Sequence, residues 1–202
     1  GEFISLGAFY KEFEDPIESV ILASAEIGLT SFDNAESAEN VGMEFELYKT
    51  LGFLEERWGW GQTWERLYIN TNFAWIDSEI TLSEDNSAIQ TSDQRPLQGQ
   101  SPYVWNFQVG YDDEDQDINA ALLFNMFGER IVDVGVNGAP DIYEEPRPSL
   151  DFVYSHGFDN WKLKIKLKNL LDPDIELTQG KETTRKFSVG REFSIAAQFL
   201  FE

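Results

Sequence analysis

The chain has 202 residues, of which 42% are hydrophobic and 14% aromatic, so it can form a sizeable folded core. Asp and Glu number 37 against 15 Lys and Arg, and the net charge of −22 argues against nucleic-acid binding because such a surface repels phosphates. There is no cysteine, and His156 is the single histidine, so a disulfide framework or thiolate metal site is excluded and a histidine-based metal centre is hard to build. The sequence predicts no catalytic residue, metal site or cofactor.

Alternation of apolar and polar residues predicts eight β-strands. In chain order they span about 2–14, 40–53, 66–80, 101–111, 117–130, 147–156, 161–172 and 190–202. Each strand has one apolar and one polar face, and the alternation is clearest in the seventh, where Trp161, Leu163 and Ile165 alternate with lysines. Thr71 interrupts the apolar side of the third strand.

The connections between these strands alternate in length. Short or moderate connections cover residues 55–65, 112–116 and 156–160, whereas long ones cover 15–40, 82–100, 132–147 and 173–190. Short turns at one end and long loops at the other are typical of an outer-membrane barrel, with the short turns on the periplasmic side. The fold class predicted is therefore all-β, an antiparallel up-and-down transmembrane β-barrel segment.

Strand length and aromatic placement predict that the apolar face contacts lipid. Runs of 10 residues or more match the roughly 9–11 that a tilted strand needs to cross a bilayer. Rings lie towards strand ends, where aromatic girdles meet the membrane interface, at Trp75, Tyr103, Tyr111, Trp161 and Phe201. On this interpretation the lumen-facing charged residues are Glu44, Glu46, Lys162, Lys164, Lys166 and Lys168. In a soluble sandwich the same lysines would form a solvated face.

Several segments resemble TonB-dependent outer-membrane receptors. The late-barrel segments of that family are similar, in the same order, to residues 95–104 (RPLQGQSPYV), 127–131 (FGERI), 140–146 (PDIYEEP) and 168–173 (KNLLDP). Earlier barrel elements are similar to residues 7–13, 16–18 and 76–79. The alternating residues 193–201 resemble the closing strand that the outer-membrane assembly machinery reads, although Glu202 follows where the family typically ends on the aromatic.

The resemblance implies a barrel of about 22 strands with a plugged lumen. Residues 1–202 are then expected to be the C-terminal portion of that barrel, without the plug domain and the N-terminal strands. The implied function is TonB-energised uptake of a scarce nutrient across the bacterial outer membrane: an iron–siderophore, cobalamin or an oligosaccharide. The implied partners are the TonB complex (through the missing N-terminal region), the nutrient or chelate, outer-membrane lipid and lipopolysaccharide, and the barrel-assembly machinery through the C-terminal strand.

Two sets of charged or aromatic residues are candidate contacts. Glu129, Arg130 and Tyr143 fall in or beside one long connection, where charge-assisted hydrogen bonds and a ring could bind substrate. The alternative for each is packing between loops, which we favour. The lysine row could attract an anionic substrate or pair with carboxylates of the plug and of adjacent strands, and the strongly negative chain favours the second.

Three other interpretations have weaker support: a calcium loop, a barrel-embedded hydrolase and a self-contained small barrel. Residues 112–117 (DDEDQD) lack the glycine and the distal glutamate of a calcium loop, which predicts a solvated turn. A barrel-embedded hydrolase would need a base near a nucleophile, but Ser155 and His156 are adjacent on a strand and point to opposite faces. A self-contained eight-stranded structural or adhesive barrel fits the strand count, but the long loops and late-barrel motifs argue against it.

Overall fold

The computed structural model describes residues 1–22, 29–59, 61–82, 90–92, 94–199 and 201. The strands in this part of the chain are β1 (Phe3–Glu14), β2 (Ile17–Leu22), β3 (Leu29–Asn34), β4 (Ser37–Thr50), β5 (Leu67–Thr81), β6 (Gln94–Arg95), β7 (Tyr103–Asp113), β8 (Ile118–Phe127), β9 (Arg130–Asp133), β10 (Ile142–Glu144), β11 (Arg147–Phe158), β12 (Trp161–Lys168), β13 (Ile175–Gln179), β14 (Glu182–Phe187) and β15 (Glu192–Phe199). A 3₁₀ turn (Gly52–Leu54) and two short helices, α1 (Glu55–Trp58) and α2 (Thr63–Arg66), lie between β4 and β5. None of these helices has the length and apolar character to span a membrane.

The eight predicted strands form one antiparallel sheet, which we call the wall sheet. Its order is β1-β4-β5-β7-β8-β11-β12-β15, so each strand lies beside the next predicted one. In the part of the chain described, β1 pairs only with β4, and β15 only with β12. The sheet is therefore open, as expected for a segment of a larger barrel and unlike a closed eight-stranded one.

Cross-strand register gives the wall sheet two continuous faces. On one, Phe45 pairs with Phe73, and Phe73 with Trp105. On the other, Asn72 pairs with Asn106, and Asn106 with Asn125. We call these the apolar face and the polar face. The apolar face is uncovered, with Leu6 and Ile195 each 76% exposed, so its residues are not the dry centre of a soluble fold.

Thr71 interrupts the apolar face without leaving an unsatisfied hydroxyl. The indole nitrogen of Trp105 donates to Thr71 Oγ1 at 3.0 Å, and that hydroxyl donates to the carbonyl of Asn106 at 2.8 Å. Both polar groups thus have a partner, which an apolar surrounding requires.

Among the described residues, seven further strands lie in or at the edge of the connections predicted as long, and four of them are β9, β10, β13 and β14. These four form a second sheet in the order β14-β13-β10-β9, which we call the loop sheet. Each continues a wall strand beyond a break: β9 follows β8, β10 precedes β11, β13 follows β12, and β14 precedes β15. The predicted strand 117–130 is accordingly wrong at its end, because β8 stops at Phe127 before Gly128 and Glu129. Strands β2 and β3 form a separate hairpin.

The break between β12 and β13 is held by polar side chains of the KNLLDP segment. Asn169 and Asp172 have positive φ angles of 55° and 49°, which bulky residues avoid and Asn and Asp tolerate. The Asn169 side chain donates to the Gly190 carbonyl at 2.7 Å, and the Gly190 N–H donates to Asp172 Oδ1 at 3.1 Å. The predicted strand 161–172 therefore ends early, at Lys168.

The apolar core lies at the long-connection end of the wall, where Ala38 of β4 and Ile80 of β5 contribute to it. Ala35, Ala38, Ile80 and Leu82 form the buried cluster, and Leu97 packs against it. This cluster joins the base of the β2–β3 hairpin to the segment after β6.

Candidate functional site

The middle of the polar face carries a chain of amide hydrogen bonds. Asn106 donates to Asn72 Oδ1 at 2.7 Å, and Asn125 donates to Asn106 Oδ1 at 2.7 Å. In register this row continues to Glu46 on one side and Ser149 on the other. The three asparagines border an open cavity of about 280 Å³. An amide both donates and accepts, so this surface can bind neutral polar groups or water without selecting for charge.

Opposite charges lie at the two ends of the polar face. Glu44 and Glu46 on β4 share this face with Asn72 and Ala74, their register partners. At the other end, the lysines of β12 lie at alternate positions on the polar face. Two of them form ion pairs: Lys162 contacts Asp117 at 2.7 Å and Lys168 contacts Glu192 at 3.6 Å.

Two charges remain in the centre of that basic strand. Lys164 and Lys166 are exposed and have no acidic partner among the described residues. Their register partners on β15 are Ala196 and Ser194, which are small and neutral.

Glu129, Arg130 and Tyr143 line one cavity of about 210 Å³ at the long-connection end. The loop sheet brings them together, since β9 and β10 are antiparallel and pair Arg130 with Glu144. Burial raises the pKa of the Tyr143 hydroxyl, and the charges of Asp141 and Glu129 raise it further. At neutral pH this phenol is therefore a hydrogen-bond donor.

Arg130 is also part of a cluster within the loop sheet. Its guanidinium contacts Glu144 Oε2 at 2.6 Å, and Arg147 contacts the other oxygen of the same carboxylate at 3.2 Å. Both guanidinium groups lie over the Phe127 ring, at 4.4 and 5.4 Å from its centroid. These contacts are the packing between loops that was the alternative for Arg130. The Arg130 side chain nevertheless keeps 35% exposure.

A buried ion pair at the base of the β2–β3 hairpin was not predicted. Arg95 contacts Glu18 at 3.2 Å, with side-chain exposures of only 2% and 7%, and Gln90 Oε1 lies 3.5 Å from the same guanidinium. Burial raises the pKa of the Glu18 carboxyl, and Arg95 partly opposes that effect. Arg95 opens the segment RPLQGQSPYV, but neither strand period nor charge pattern marks a residue whose partner lies 77 positions away.

The acidic turn after β7 corrects another expectation. Asp113 is fully buried rather than solvated. It contacts Arg66 of α2 at 2.7 Å, and it accepts hydrogen bonds from the Tyr111 hydroxyl at 3.1 Å and the Gln116 side chain at 2.9 Å. The carboxylate therefore closes the β7–β8 turn. In the described part of the chain, no three Asp, Glu or His side chains are grouped so as to hold a metal ion.

His156 has the position that strand parity predicts. It pairs in register with Ile118 and Leu163 on the apolar face, whereas Ser155 pairs with Asn119 and Lys164 on the polar face. Its ring lies 3.8 Å from that of Phe158. The two adjacent residues cannot form a nucleophile–base pair.

Comparison with solved structures shows the same fold in three transporters. They are a copper transporter, OprC (TM-score 0.65, 18% identity), the ferric enterobactin receptor PfeA of Pseudomonas aeruginosa (0.62, 14%) and the FrpB iron transporter of Neisseria meningitidis (0.60, 11%). The alignments cover 98%, 98% and 97% of this chain but 29%, 28% and 27% of those proteins. The chain thus spans less than a third of the length of these structures.

Sequence comparison identifies the family. No curated protein sequence matches the chain. The family model described as TonB dependent receptor-like, beta-barrel, matches residues 1–170, which is most of the chain. That match agrees with the antiparallel wall sheet, its two faces and the loop strands that extend it. The chain therefore belongs to the TonB-dependent receptor β-barrel family of the Gram-negative outer membrane.

Proposed function

We propose that this chain forms part of the barrel wall and the extracellular vestibule of a transporter that takes up a scarce nutrient with energy from TonB. The observation that carries the proposal is the open wall sheet, whose strands extend beyond a break into the loop sheet. Two unpaired edges require further strands in the working protein, which accords with a barrel of about 22. The chain is then the C-terminal portion of that barrel, and a plug domain and the contact with TonB lie in other parts of the protein.

The proposed orientation turns the polar face to the lumen and the apolar face to lipid. Apolar-face side chains are exposed on β1, β4, β5, β7, β8 and β15, and hydrocarbon is the solvent that such a surface favours. Glu44, Glu46 and the lysines of β12 then face an aqueous interior, where charges are tolerated.

The lysine row supports contacts within that interior. Lys162 and Lys168 are already paired with Asp117 and Glu192. Lys164 and Lys166 are available to carboxylates of a luminal plug, and we assign them that structural role rather than substrate attraction. In a chain with a net charge of −22, such exposed cations bind acidic side chains readily.

The substrate class proposed is an iron or copper ion, or a chelate of one of these two metals. The three solved structures named above are transporters or receptors for iron, copper or ferric enterobactin. Glu129, Arg130 and Tyr143 share one cavity at the extracellular end and offer a carboxylate, a partly exposed guanidinium and a phenol. Cobalamin and oligosaccharides are the alternatives that the uptake assay distinguishes.

The assay measures uptake of labelled ferric chelates, copper, cobalamin and oligosaccharide by cells with the full-length gene deleted or restored. We expect one iron- or copper-containing substrate to require both the receptor and an intact TonB system. Uptake that persists without TonB would contradict the energised mechanism, and dependence confined to cobalamin or oligosaccharide would contradict the substrate class.

The contact residues are tested in the restored strain. Tyr143→Ala and Arg130→Ala should each reduce uptake of that substrate at equal surface abundance. Arg185→Ala is the control, because Arg185 lies on the exposed strand β14 of the same loop sheet. If both variants transport at the rate of the control, the contact assignment is wrong.

Further proposed partners follow from the location in the outer membrane. The apolar face contacts lipid, and the extracellular end contacts lipopolysaccharide. The closing strand β15, with its alternating Phe193, Ile195 and Phe199, is the proposed signal for the barrel-assembly machinery. Replacing Phe199 by Ser should reduce the amount of heat-modifiable receptor in the membrane, whereas Gln198→Ser on the polar face should not.

A further inference from the structure

The connection between β4 and β5, residues 51–66, is longer than its strands require. The other connections at this end, 114–117 and 159–160, close their hairpins in a few residues. The β4–β5 connection instead contains the 3₁₀ turn, α1 and α2.

Among the described residues of this connection, two aromatic side chains project into solvent. Phe53 is 60% exposed and Trp58 is 58% exposed. Trp64 is by contrast buried, at 5%, and its ring lies 5.3 Å from that of Trp58. The short helices are thus fixed to the wall through Trp64, and they present Phe53 and Trp58 outwards.

Contacts at both ends place the connection beside the apolar face. The Lys49 ammonium lies 5.3 Å from the centroid of the Phe53 ring, and Lys49 pairs in register with Ile69 on that face. Arg66 binds Asp113, which pairs with Ile118 on the same face. These contacts hold the connection on the outer side of the wall.

The aromatic girdle of the apolar face has a gap here. At this end of the wall, rings are carried by Tyr111, Phe158, Trp161 and Phe199. The strands β1, β4 and β5 end instead in non-aromatic residues on that face, namely Ile4, Lys49 and Leu67. Phe53, beside Lys49 at the end of β4, and Trp58, against Trp64, are exposed rings of the connection that joins two of these strands.

We propose that the β4–β5 connection is a membrane-interface anchor, with Phe53 and Trp58 inserted at the headgroup level of the periplasmic phospholipid leaflet. This inference rests on the proposed function, which turns the apolar face to lipid. Trp and Phe bury apolar ring area at this level, and indole N–H groups reach the headgroups. Glu55, Glu56 and Arg57 remain on the aqueous side, as in amphipathic segments that lie in the interface.

The test uses single cysteines in the full-length receptor, without other accessible cysteine, in phosphatidylethanolamine–phosphatidylglycerol vesicles. Spin labels are attached at Phe53→Cys and Trp58→Cys, and collisions with oxygen and with a water-soluble nickel chelate are measured. Glu114→Cys, in the exposed β7–β8 turn at the same end, is the aqueous control. Ile165→Cys, on the apolar face of β12, is the hydrocarbon reference.

We expect oxygen-to-nickel collision ratios at 53 and 58 several-fold above that at 114 and below that at 165. Ratios equal to the aqueous control, or exclusion of both reagents by a protein contact, would overturn the anchor. An aqueous ratio at 165 would instead refute the proposed orientation itself. Quenching of the Trp58 signal by brominated lipid, taken as the difference between wild type and Trp58→Phe, gives the same answer without a cysteine. Failure of that quenching would overturn the anchor as well.

Discussion

The wall sheet and the loop sheet are built from the same run of strands but are stabilised differently. Wall strands such as β5 and β8 are long, and register gives each an apolar side with exposed residues, among them Phe73 and Leu122. The loop-sheet strands are three to six residues long, and polar side chains tie them together at Glu144, Asn169 and Asp172. The stability of the wall sheet therefore depends on the solvent that covers its apolar face, whereas the stability of the loop sheet depends on particular side-chain contacts.

The location of buried residues shows the same contrast. The most enclosed apolar side chains, Ile80 and Ile131, lie at the long-connection end, as does the Glu18–Arg95 pair. In the proposed orientation, the apolar face of the wall contacts lipid, so a charge there is costly and a polar-face charge is not. In the wall, we therefore expect the effect of a substitution to depend on the face that carries it. At the long-connection end, we expect it to depend on the buried contact that is lost.

The largest effect is expected from the buried ion pair. Arg95→Met leaves the Glu18 carboxylate buried without its cation, and such losses cost about 3–5 kcal/mol. Hydrogen exchange in the full-length receptor should show faster opening of β2, β3 and β6 with the wall protected as before. The control is the double variant Arg95→Met/Glu18→Leu, which should recover much of the protection because replacement of the whole pair is often close to neutral. If β2, β3 and β6 exchange as slowly in Arg95→Met as in the wild type, the ion pair does not stabilise this region.

The pH dependence of this region sharpens the same prediction. Burial holds the pKa of Glu18 above its ordinary value of 4.5, so the folded hairpin binds this proton more tightly than the unfolded chain does. This contribution to stability is fully present below pH 4.5 and is lost as the pH rises through the elevated folded pKa. Protection of β2 and β3 should therefore increase on acidification, and Glu18→Gln should remove that increase.

The next effect separates the two faces of the wall. Leu122 and Leu123 are neighbours in the middle of β8, but Leu122 pairs with Phe152 on the apolar face and Leu123 with Asp151 on the polar face. Leu122→Arg should lower the free energy of unfolding in a bilayer by about 2–4 kcal/mol, the cost of a cation at the membrane midplane. Leu123→Arg should leave it nearly unchanged. Urea unfolding in vesicles measures both, and equal losses would refute the assignment of faces.

A smaller effect is expected at the break between the two sheets. Asn169→Ala removes the hydrogen bond to Gly190 and places a Cβ-only residue at positive φ, a combined cost of about 1–2 kcal/mol. Asn169→Gly keeps the backbone angle but not the hydrogen bond, so it separates the two causes. Exchange at the Gly190 amide is the measurement. If the glycine variant exchanges as wild type does, the side-chain contact contributes nothing.

The smallest effect lies within the apolar face. Thr71 and Trp105 share a hydrogen bond that contacts lipid in the proposed orientation. A double-mutant cycle with Thr71→Val and Trp105→Phe should give a coupling of about 0.6 kcal/mol, because membrane-buried hydrogen bonds average that value. Thr71→Val with the more distant Trp161→Phe is the control cycle, and it should show no coupling. Equal couplings in the two cycles would refute the pairing.

Much of the wall was predictable from sequence because strand parity is local. The two-residue period identifies every wall strand and both faces, and it places His156 away from Ser155. The loop sheet was not predictable, since β9 and β10 are only four and three residues long and carry too few alternations to show a period. For the same reason Glu129, Arg130 and Tyr143 were associated only by nearness in the chain, whereas the fold places them around one cavity.

By itself, the sequence determined which residues share a face, because alternate side chains of any strand point the same way whatever lies beside them. Tertiary structure alone decided where strands break, as at Asn169, and which distant charges meet, as Glu18 and Arg95 do. Those outcomes depend on pairing across the sheet and on burial by other segments, and neither quantity is encoded in the pattern of a single strand.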